Sequence, residues 1–292
     1  MGWRNVIVTK EAKLSLRMEH LIVKTEKTIE IPLLDIETLV IENPSSLITG
    51  HLLNALTDNK ITVILCGENH NPKTNVLSLY GHHRQSKKIK EQIQWKNGEK
   101  HYLWKRIVQE KLNNQKRVLE ETGNIDRIYL LEEYIRDVEF DDSTNREGHG
   151  AKVYFNELFG NEFNRNKECY WNWGLNYGYS VLLAIFNRVL VSKGILLELG
   201  IKHSNEFNFY NLSCDFIEPF RPIVDYEVRT KIKEKFEIEE RLMLASITEK
   251  QVKIKKQVYY LNNAIDIYCD SLLKYLKDGD PKDLEFPELI FK

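Results

Sequence analysis

The side chains best suited to chemistry in this sequence are carboxylates and histidines that stand beside glycines or prolines. They occur in three short segments, which surround Glu147, His203 and Glu218. Carboxylate and imidazole groups are common ligands of divalent metal ions, whereas glycine and proline at such places cost local stability. Each segment therefore holds candidate metal ligands, and each also has a purely structural explanation.

In the first segment Gly148 and Gly150 flank His149 at the start of a predicted amphipathic helix, directly after Glu147. Glycine lets the backbone approach another backbone or a ligand closely. The structural alternative is that Glu147 is a first-turn carboxylate that complements the helix dipole. His149 is the rival histidine for a ligand position.

The second segment places His203 three residues after Gly200, which is predicted to end a short helix over residues 194–200. Glycine is the usual residue just past a helix C-terminus. A lone histidine at such a place is more often a capping or surface residue than a metal ligand, so both interpretations stay open.

In the third segment Asp215 and Glu218 are three residues apart, so one helical turn would present both carboxylates to the same side. The same spacing is typical of a capping box, with Asp215 as the N-cap and Glu218 folding back. Pro219 disfavours that alternative, because proline biases the preceding residue away from α-helical backbone angles.

Taken together, the three segments resemble the universal integrase family of CRISPR spacer acquisition. The likeness rests on these motifs in order: Glu147-Gly148-x-Gly150-Ala151 before Tyr154-Phe155, Gly200-x-x-His203, and Asp215-x-x-Glu218-Pro219-Phe220-Arg221-Pro222-x-x-Asp225. It extends over nearly the whole chain. The opening Gly2-Trp3-Arg4 resembles the branch that is found in type II systems.

The resemblance implies a metal-dependent DNA integrase and endonuclease in which Glu147, His203 and Glu218 bind Mn²⁺ or Mg²⁺ as the catalytic site. Asp215 takes a secondary place near the ion, and relatives often have aspartate where this chain has Glu218. The implied reaction is a transesterification, in which a DNA 3′-hydroxyl attacks a phosphodiester and displaces another 3′-oxygen. A divalent ion suits this reaction because it lowers the pKa of the hydroxyl and offsets charge on the phosphoryl oxygens.

Basic side chains outside the acidic segments are candidate contacts for double-stranded DNA. The predicted set is Arg84, Lys87, Lys88 and Arg221. A further basic group contains Lys111, Lys116 and Arg117. Each group is also explained as the solvated face of a helix, and Arg221 has the alternative role of an ion-pair anchor for Glu218 or Asp225. No element that reads base edges is evident, so contact with the DNA backbone is expected.

The resemblance also implies assembly on DNA. Relatives form homodimers through their N-terminal domains, and two such dimers bind a central dimer of a small second adaptation protein to give a heterohexamer. The protospacer duplex and the repeat array are the DNA partners. In type II systems the effector nuclease and a ring-shaped accessory protein also take part in acquisition.

The elements that must position these residues change character along the chain. Alternating apolar residues up to Cys66 predict short antiparallel strands and one helix from Leu47, capped by Ser46. After Val76 the spacing predicts helices, including residues 250–277. The expected fold is α+β, with a small, mainly antiparallel β domain over 1–70, a linker at 71–75 and a larger all-α catalytic domain over 76–292. The tail after Asp278 is predicted to be an irregular arm.

Composition limits the class of protein. Hydrophobic residues make up 42% of the 292 residues and charged residues 29%, which is typical of a globular chain. We find no membrane span and no secretory pattern, so a cytoplasmic location is expected. The four cysteines form no CxxC pair and are predicted to be reduced, mostly core thiols. Because the formal net charge is only -1, any attraction to DNA must be local.

Two other functions are compatible with the residues taken alone. The first is a stand-alone metal-dependent DNA repair nuclease, which would hydrolyse DNA without joining it. The second is a non-catalytic DNA-binding scaffold whose acidic residues are caps and ion pairs. A joined DNA product distinguishes the first from an integrase, and stabilisation by Mn²⁺ distinguishes the second.

Overall fold

Strands are concentrated in the N-terminal part of the computed structural model, which describes residues 2–291 and so leaves Met1 and Lys292 outside. The N-terminal elements are, in chain order, β1 (Arg4–Val8), β2 (Lys13–Arg17), β3 (His20–Lys24), β4 (Thr28–Pro32), β5 (Ile36–Ile41), β6 (Leu47–Ile48), α1 (Gly50–Asp58), β7 (Thr62–Cys66) and β8 (Pro72–Val76). Helices dominate after β8, which confirms the predicted α+β class.

Strands β2 and β3 form a hairpin at the centre of a sheet with the order β4-β3-β2-β6. Leu14 lies opposite Val23, and both are buried because alternate side chains of a strand face the core. Met18 and Glu19 have φ angles of 46° and 58°. Two successive left-handed residues suit the tight turn of such a hairpin.

The second sheet has the order β1-β5-β7-β8, in which β1, β5 and β7 are parallel and β8 is antiparallel. Strand β5 is buried on both faces: Leu39 packs into the N-terminal core and Val40 packs against the helices. Strands covered on both faces are typical of parallel sheets. The strand directions thus differ from the predicted, mainly antiparallel arrangement, because alternation identifies a strand but not the direction of its neighbour.

Helix α1 begins later than its apolar residues suggest. Its cap is Thr49, whose hydroxyl accepts a hydrogen bond from the Leu52 amide at 3.3 Å. The predicted cap, Ser46, lies before β6 instead, where its hydroxyl accepts from the Ala12 amide at 3.2 Å. The apolar residues of β6 therefore belong to the sheet and not to the helix.

Most of the predicted linker at residues 71–75 belongs to β8, which pairs with β7. The side chain of Asn75 adds a hydrogen bond to the carbonyl of Val63 at 3.0 Å. Turn-forming residues at 67–71 make the tight connection between these two strands. The division into domains stays a prediction.

The C-terminal part is mainly helical. Its helices are α2 (Gln85–Ile93), α3 (Asn97–Thr122), α4 (Ile128–Asp137), α5 (Arg146–Phe159), α6 (Tyr170–Ser192), α7 (Asn211–Phe216), α8 (Arg221–Lys231), α9 (Ile238–Ala245) and α10 (Leu261–Asp278). It also holds an antiparallel sheet of order β10-β9-β11, made of β9 (Gln251–Ile254), β10 (Gln257–Tyr260) and β11 (Glu288–Leu289).

This third sheet contradicts the all-α prediction for the C-terminal part. A hairpin occupies the start of the predicted helix over 250–277, because Lys255 and Lys256 adopt φ angles of 51° and 63° and reverse the chain. Val252 and Ile254 alternate inward and are buried. The tail, predicted to be irregular, ends this sheet with β11, which pairs with β9.

The predicted helix over 194–200 is also absent. Gly194 adopts a φ of 79°, which stops α6, and the following residues form turns up to His203. Helix α6 itself runs through the main core, where Leu182, Ile185 and Phe186 are fully buried. The turns that follow α6 lead to His203 in the candidate site.

The remaining expectations concern membranes and thiols. Within residues 2–291 the structure contains no helix with the length and apolarity that a membrane crossing requires. All four cysteines are free thiols, and two of them, Cys66 and Cys269, are buried. Burial raises the pKa of the Cys66 thiol to about 12, so this group stays protonated and unreactive near neutral pH.

Candidate active site

Three elements bring two of the predicted ligands to one point. Lys111 projects from α3, Glu147 lies in the first turn of α5, and Glu218 begins the short 3-10 turn before α8. The Lys111 Nζ atom lies 2.7 Å from Glu147 Oε1 and 2.5 Å from Glu218 Oε2. The two carboxylates therefore converge on a single cationic atom.

Close packing of α5 on α3 makes this convergence possible. A Cβ atom on Gly150 would lie 2.2 Å from Leu112 Cδ2, so the bare glycine lets the Leu112 side chain pack directly against α5. Asp142 holds the start of α5, because its carboxylate accepts hydrogen bonds from the amides of Arg146 at 2.8 Å and Glu147 at 3.0 Å. Asp142 thus holds the first turn of α5, which bears Glu147, and the contact at Gly150 holds the next turn against α3.

Glu218 is buried and compensated by two cations. Arg221 Nε donates to its Oε1 at 2.8 Å, and the guanidinium also packs on the ring of Tyr179. Burial opposes ionisation of Glu218, but the charges of Arg221 and Lys111 outweigh it and hold the pKa of this carboxyl below its usual range. The predicted anchor role of Arg221 therefore describes its contacts better than a free DNA-facing role.

Asn114 connects the turn at Glu218 to the C-terminal tail. Its buried amide group donates to the carbonyls of Pro219 and Pro287, both at 2.9 Å, and accepts from the Leu289 amide at 3.2 Å. A buried amide with three partners is costly to replace. The tail therefore supports the backbone next to Glu218.

Asp215 organises the loop that carries His203. Its fully buried carboxylate accepts hydrogen bonds from the amides of Ile201, Lys202 and His203 at 2.7, 3.1 and 3.0 Å. It also lies 2.6 Å from His203 Nδ1, which leaves Nε2 as the nitrogen available to a ligand. Because Asp215 lies within α7 and binds this loop, the capping-box alternative for Asp215 and Glu218 is wrong.

The charge state of His203 reflects the same surroundings. The hydrogen bond to Asp215 raises the pKa of His203, burial opposes this, and the negative charges of Glu218 and Glu147 add to the increase. The rings of Trp104 and His203 are nearly perpendicular, with centroids 5.9 Å apart.

The donor chemistry fits a divalent ion, although the described residues do not form a finished cage. Glu218 Oε2 is buried and faces Lys111 Nζ at 2.5 Å, so the place between the carboxylates is one where a cation is stable. Two carboxylates already share one positive charge at Lys111. Over the same residues, however, no group of three or more His, Cys, Asp or Glu side chains is placed to hold a metal. The ligand set therefore stays a prediction.

The rival histidine lies elsewhere. His149 is exposed on α5, and its nearest ring partner is Tyr134 at 6.1 Å between centroids. Side chains two positions apart on a helix do not face each other, so Glu147 and His149 do not point into one site.

The predicted DNA contacts other than Arg221 lie at α2. Arg84 directly precedes this helix, while Lys87 and Lys88 lie 3.8 and 3.5 Å from the carboxylate of Glu91. The helix is tied to the segment before His203 by Gln92, whose amide group bonds the carbonyl and the amide of Leu196 at 2.8 and 2.9 Å. The basic residues at the start of α2 are therefore connected to the segment before His203 through the other end of this helix.

Sequence reasoning missed the roles of Lys111, Asp142 and Asn114. The sequence predicts Lys111 in a basic group that is solvated or contacts DNA, yet the residue lies in the apolar stripe of α3 with Val108 and Leu112. A lysine at such a position must be paired with anions, because an unpaired buried ammonium is very costly. That periodicity was the signal that could have identified it.

Replacing Gly200 by alanine is expected to lower the free energy of unfolding by about 1–3 kcal/mol, because the new methyl group overpacks the His203 loop. A Cβ atom at position 200 would lie 2.3 Å from the His203 carbonyl oxygen and 2.8 Å from Asp215 Oδ2. Urea unfolding measures the loss. Gly98→Ala is the matched control, since a Cβ there meets nothing within 4 Å. Equal stability of the two variants would contradict the close approach.

Replacing Asp215 by asparagine is expected to lower the pKa of His203, measured by NMR titration of its ring protons. The stabilisation that this pair gives is full below the unfolded histidine pKa of about 6.5 and is lost as pH rises through the higher folded value. The destabilisation caused by Asp215→Asn is therefore larger at pH 6 than at pH 9. Asp141→Asn is the control, because Asp141 pairs with Lys202 at 3.1 Å and not with His203. An unchanged His203 pKa in Asp215→Asn would refute this assignment.

Comparison with known proteins gives a consistent result. The family profile described as "CRISPR associated protein Cas1" matches residues 6–254. The chain is 35% identical over 296 aligned positions to the CRISPR-associated endonuclease Cas1 of Neisseria meningitidis serogroup C (strain 8013), covering 99% of this chain and 97% of that protein.

Two solved structures share the fold. A casposase bound to its integration product superposes with a TM-score of 0.76 at 18% identity, covering 96% of this chain and 92% of the casposase chain. A chain of the Cas6-RT-Cas1–Cas2 complex gives the same TM-score and identity, covering 98% of this chain and 36% of the larger one. At these identities the likeness concerns the fold.

Proposed function

Since this chain belongs to the Cas1 family of CRISPR-associated proteins, we propose that it is a metal-dependent DNA integrase and endonuclease of CRISPR adaptation. It joins short foreign duplexes to the repeat array by transesterification, in which a 3′-hydroxyl of the duplex attacks a phosphodiester of the array and displaces a 3′-oxygen there. The observation that carries the proposal is the convergence of Glu147 and Glu218 on one cationic atom, Lys111 Nζ, together with the orientation of His203 by Asp215. The casposase with its integration product, a protein of the same fold, supports the joining reaction.

Glu147, Glu218 and His203 are the proposed ligands of Mn²⁺ or Mg²⁺. When bound, such an ion lowers the pKa of the attacking hydroxyl and offsets charge on the phosphoryl oxygens. Asp215 keeps the proton of His203 on Nδ1, so that Nε2 is free to bind. Arg221 orients Glu218 through its Nε hydrogen bond.

The proposed DNA surface is the basic edge formed by Arg84, Lys87 and Lys88. Arginine and lysine bind phosphates without regard to sequence, and such binding weakens as salt concentration rises. Gln92 holds α2 against the segment that leads to His203, which connects the helix of this edge to the loop of the proposed site. Arg221 stays a secondary candidate, since its first contact is Glu218.

The proposed partner is a small second adaptation protein. The support is the fold shared with a chain of the Cas6-RT-Cas1–Cas2 complex. We extend this to a homodimer through the N-terminal domain and a heterohexamer of two such dimers around a partner dimer. Membership of the type II branch stays a prediction.

The test is a joining assay with purified protein, a labelled 3′-hydroxyl duplex and a supercoiled plasmid that carries the repeat. Labelled plasmid is expected with Mn²⁺ or Mg²⁺, more with the partner, and none in EDTA. A duplex with 3′-deoxy ends is the control, because it cannot attack. Cleavage without joined product in every condition would favour the stand-alone nuclease, and an absence of ion-dependent products would favour the scaffold.

A further inference from the structure

Lys111 is a buried ammonium group in the middle of the candidate site. Its side chain is only 10% exposed, and it contacts Glu147 and Glu218 at 2.7 and 2.5 Å. A buried ammonium group is tolerated only where anions pair with it, so the two carboxylates hold this positive charge at the point where they meet.

The position of Lys111 is set by helix α3 and not by a flexible surface. Val108 and Leu112, its neighbours on the same stripe, are fully buried, and Leu112 packs at the place where Gly150 admits α5. The stem of the lysine therefore starts from a rigid core. Its ammonium can leave the carboxylates only by extending away from them along its four-carbon chain.

Two cationic groups, Lys111 and Arg221, already face the carboxylates of Glu147 and Glu218. A divalent ion bound to the same carboxylates would lie beside the ammonium and repel it strongly in this poorly hydrated place. The cluster accommodates one of the two cations between the carboxylates more easily than both.

We propose that Lys111 and the divalent ion are alternative cations for the same two carboxylates, so that ion binding requires the ammonium to move out. The inference rests on the proposed metal-dependent function and adds a specific cost to ion binding. The lysine keeps Glu147 and Glu218 together and compensated before the ion arrives. It also weakens the affinity of the site for the ion.

The first test compares Mn²⁺ binding by titration calorimetry, without DNA, for the wild type and Lys111→Met. Methionine has a similar shape without the charge, so the Kd for Mn²⁺ is expected to fall by at least about tenfold. Lys116→Met is the matched control, because Lys116 on the same helix pairs with Glu132 at 2.6 Å and is expected to leave the Kd unchanged. Lys111→Gln repeats the test with a side chain that can still donate a hydrogen bond.

The second test uses the wild-type protein and needs no variant at Lys111. Amine acetylation, quantified by peptide mass spectrometry, is expected to increase severalfold at Lys111 when saturating Mn²⁺ is added, and to stay constant at Lys116. In Glu147→Gln, where the ion has lost a ligand, the increase at Lys111 is expected to disappear.

Each outcome bears on one of the two proposals. An equal or higher Kd for Mn²⁺ in Lys111→Met would overturn the competition, as would unchanged acetylation of Lys111 when Mn²⁺ is bound. Either result would leave the metal-dependent function standing. If Lys111→Met binds Mn²⁺ and the wild type does not, the result supports the competition. If neither protein binds Mn²⁺, the metal site itself is wrong, and the competition falls with it.

Discussion

Glu147→Gln is expected to slow strand joining by at least about a hundredfold, because a neutral amide is a poor ligand for the divalent ion that stabilises the transition state. The fold is expected to survive. The Glu147 side chain is 27% exposed, and its backbone amide keeps the hydrogen bond to Asp142. The measurement is the initial rate of joining, together with the thermal midpoint of the free protein.

Glu132→Gln is the matched control for this prediction. Like Glu147, Glu132 forms an ion pair with a lysine of α3, in its case Lys116 at 2.6 Å, but it lies on α4 outside the site. This variant is expected to join DNA at the wild-type rate. A Glu147→Gln protein that joins as fast as the control would remove Glu147 from the ligand set.

Glu218→Gln is expected to abolish joining and also to destabilise the protein by about 3 kcal/mol, because it takes the charge from a buried, paired carboxylate. The change leaves Arg221 without its anionic partner and Lys111 with only Glu147. Urea unfolding at pH 7 measures the loss of stability, and the joining assay measures activity.

The pH dependence of this loss follows from the lowered pKa of Glu218. A carboxyl with a lowered folded pKa stabilises the protein above its unfolded pKa of about 4.3, and the contribution is lost as pH falls through the lower folded value. The difference between wild type and Glu218→Gln is therefore expected to persist from pH 7 to pH 5 and to shrink only in strong acid.

Glu37→Gln is the control for a buried carboxylate outside the site. Glu37 pairs with Arg188 at 3.1 Å between the N-terminal sheet and α6, and burial raises its pKa to about 7. Glutamine resembles its neutral form, so a smaller loss of stability and normal joining are expected. If Glu218→Gln were as stable and active as Glu37→Gln, neither the ion pairs nor the ligand role assigned to Glu218 would hold.

Much of the fold was predictable because it follows local patterns. The alternation of apolar residues predicts the strands around Leu14 and Val23, and helical spacing predicts the long helix α3. The direction of β1 relative to β5 was not predictable, since a parallel pairing depends on segments far apart in sequence. The hairpin at Lys255 and Lys256 was missed because a short strand pair with a charged turn resembles the start of a helix.

The candidate site was predictable in a different way. Taken alone, Glu147 and Glu218 had structural alternatives as strong as the ligand role, and the family pattern carried their assignment. The geometry adds what no motif contains: Asp215 as the group that orients His203, and Lys111 as the cation that the carboxylates share. Both depend on tertiary contacts between helices, which residue spacing does not report.

The position of bound Mn²⁺ tests the central claim most directly, and anomalous scattering from crystals grown with the ion measures it. The account predicts one site whose ligands are carboxylate oxygens of Glu147 and Glu218 and the Nε2 atom of His203. An ion bound instead at His149, or crystals saturated with Mn²⁺ that show no ion between Glu147 and Glu218, would contradict it.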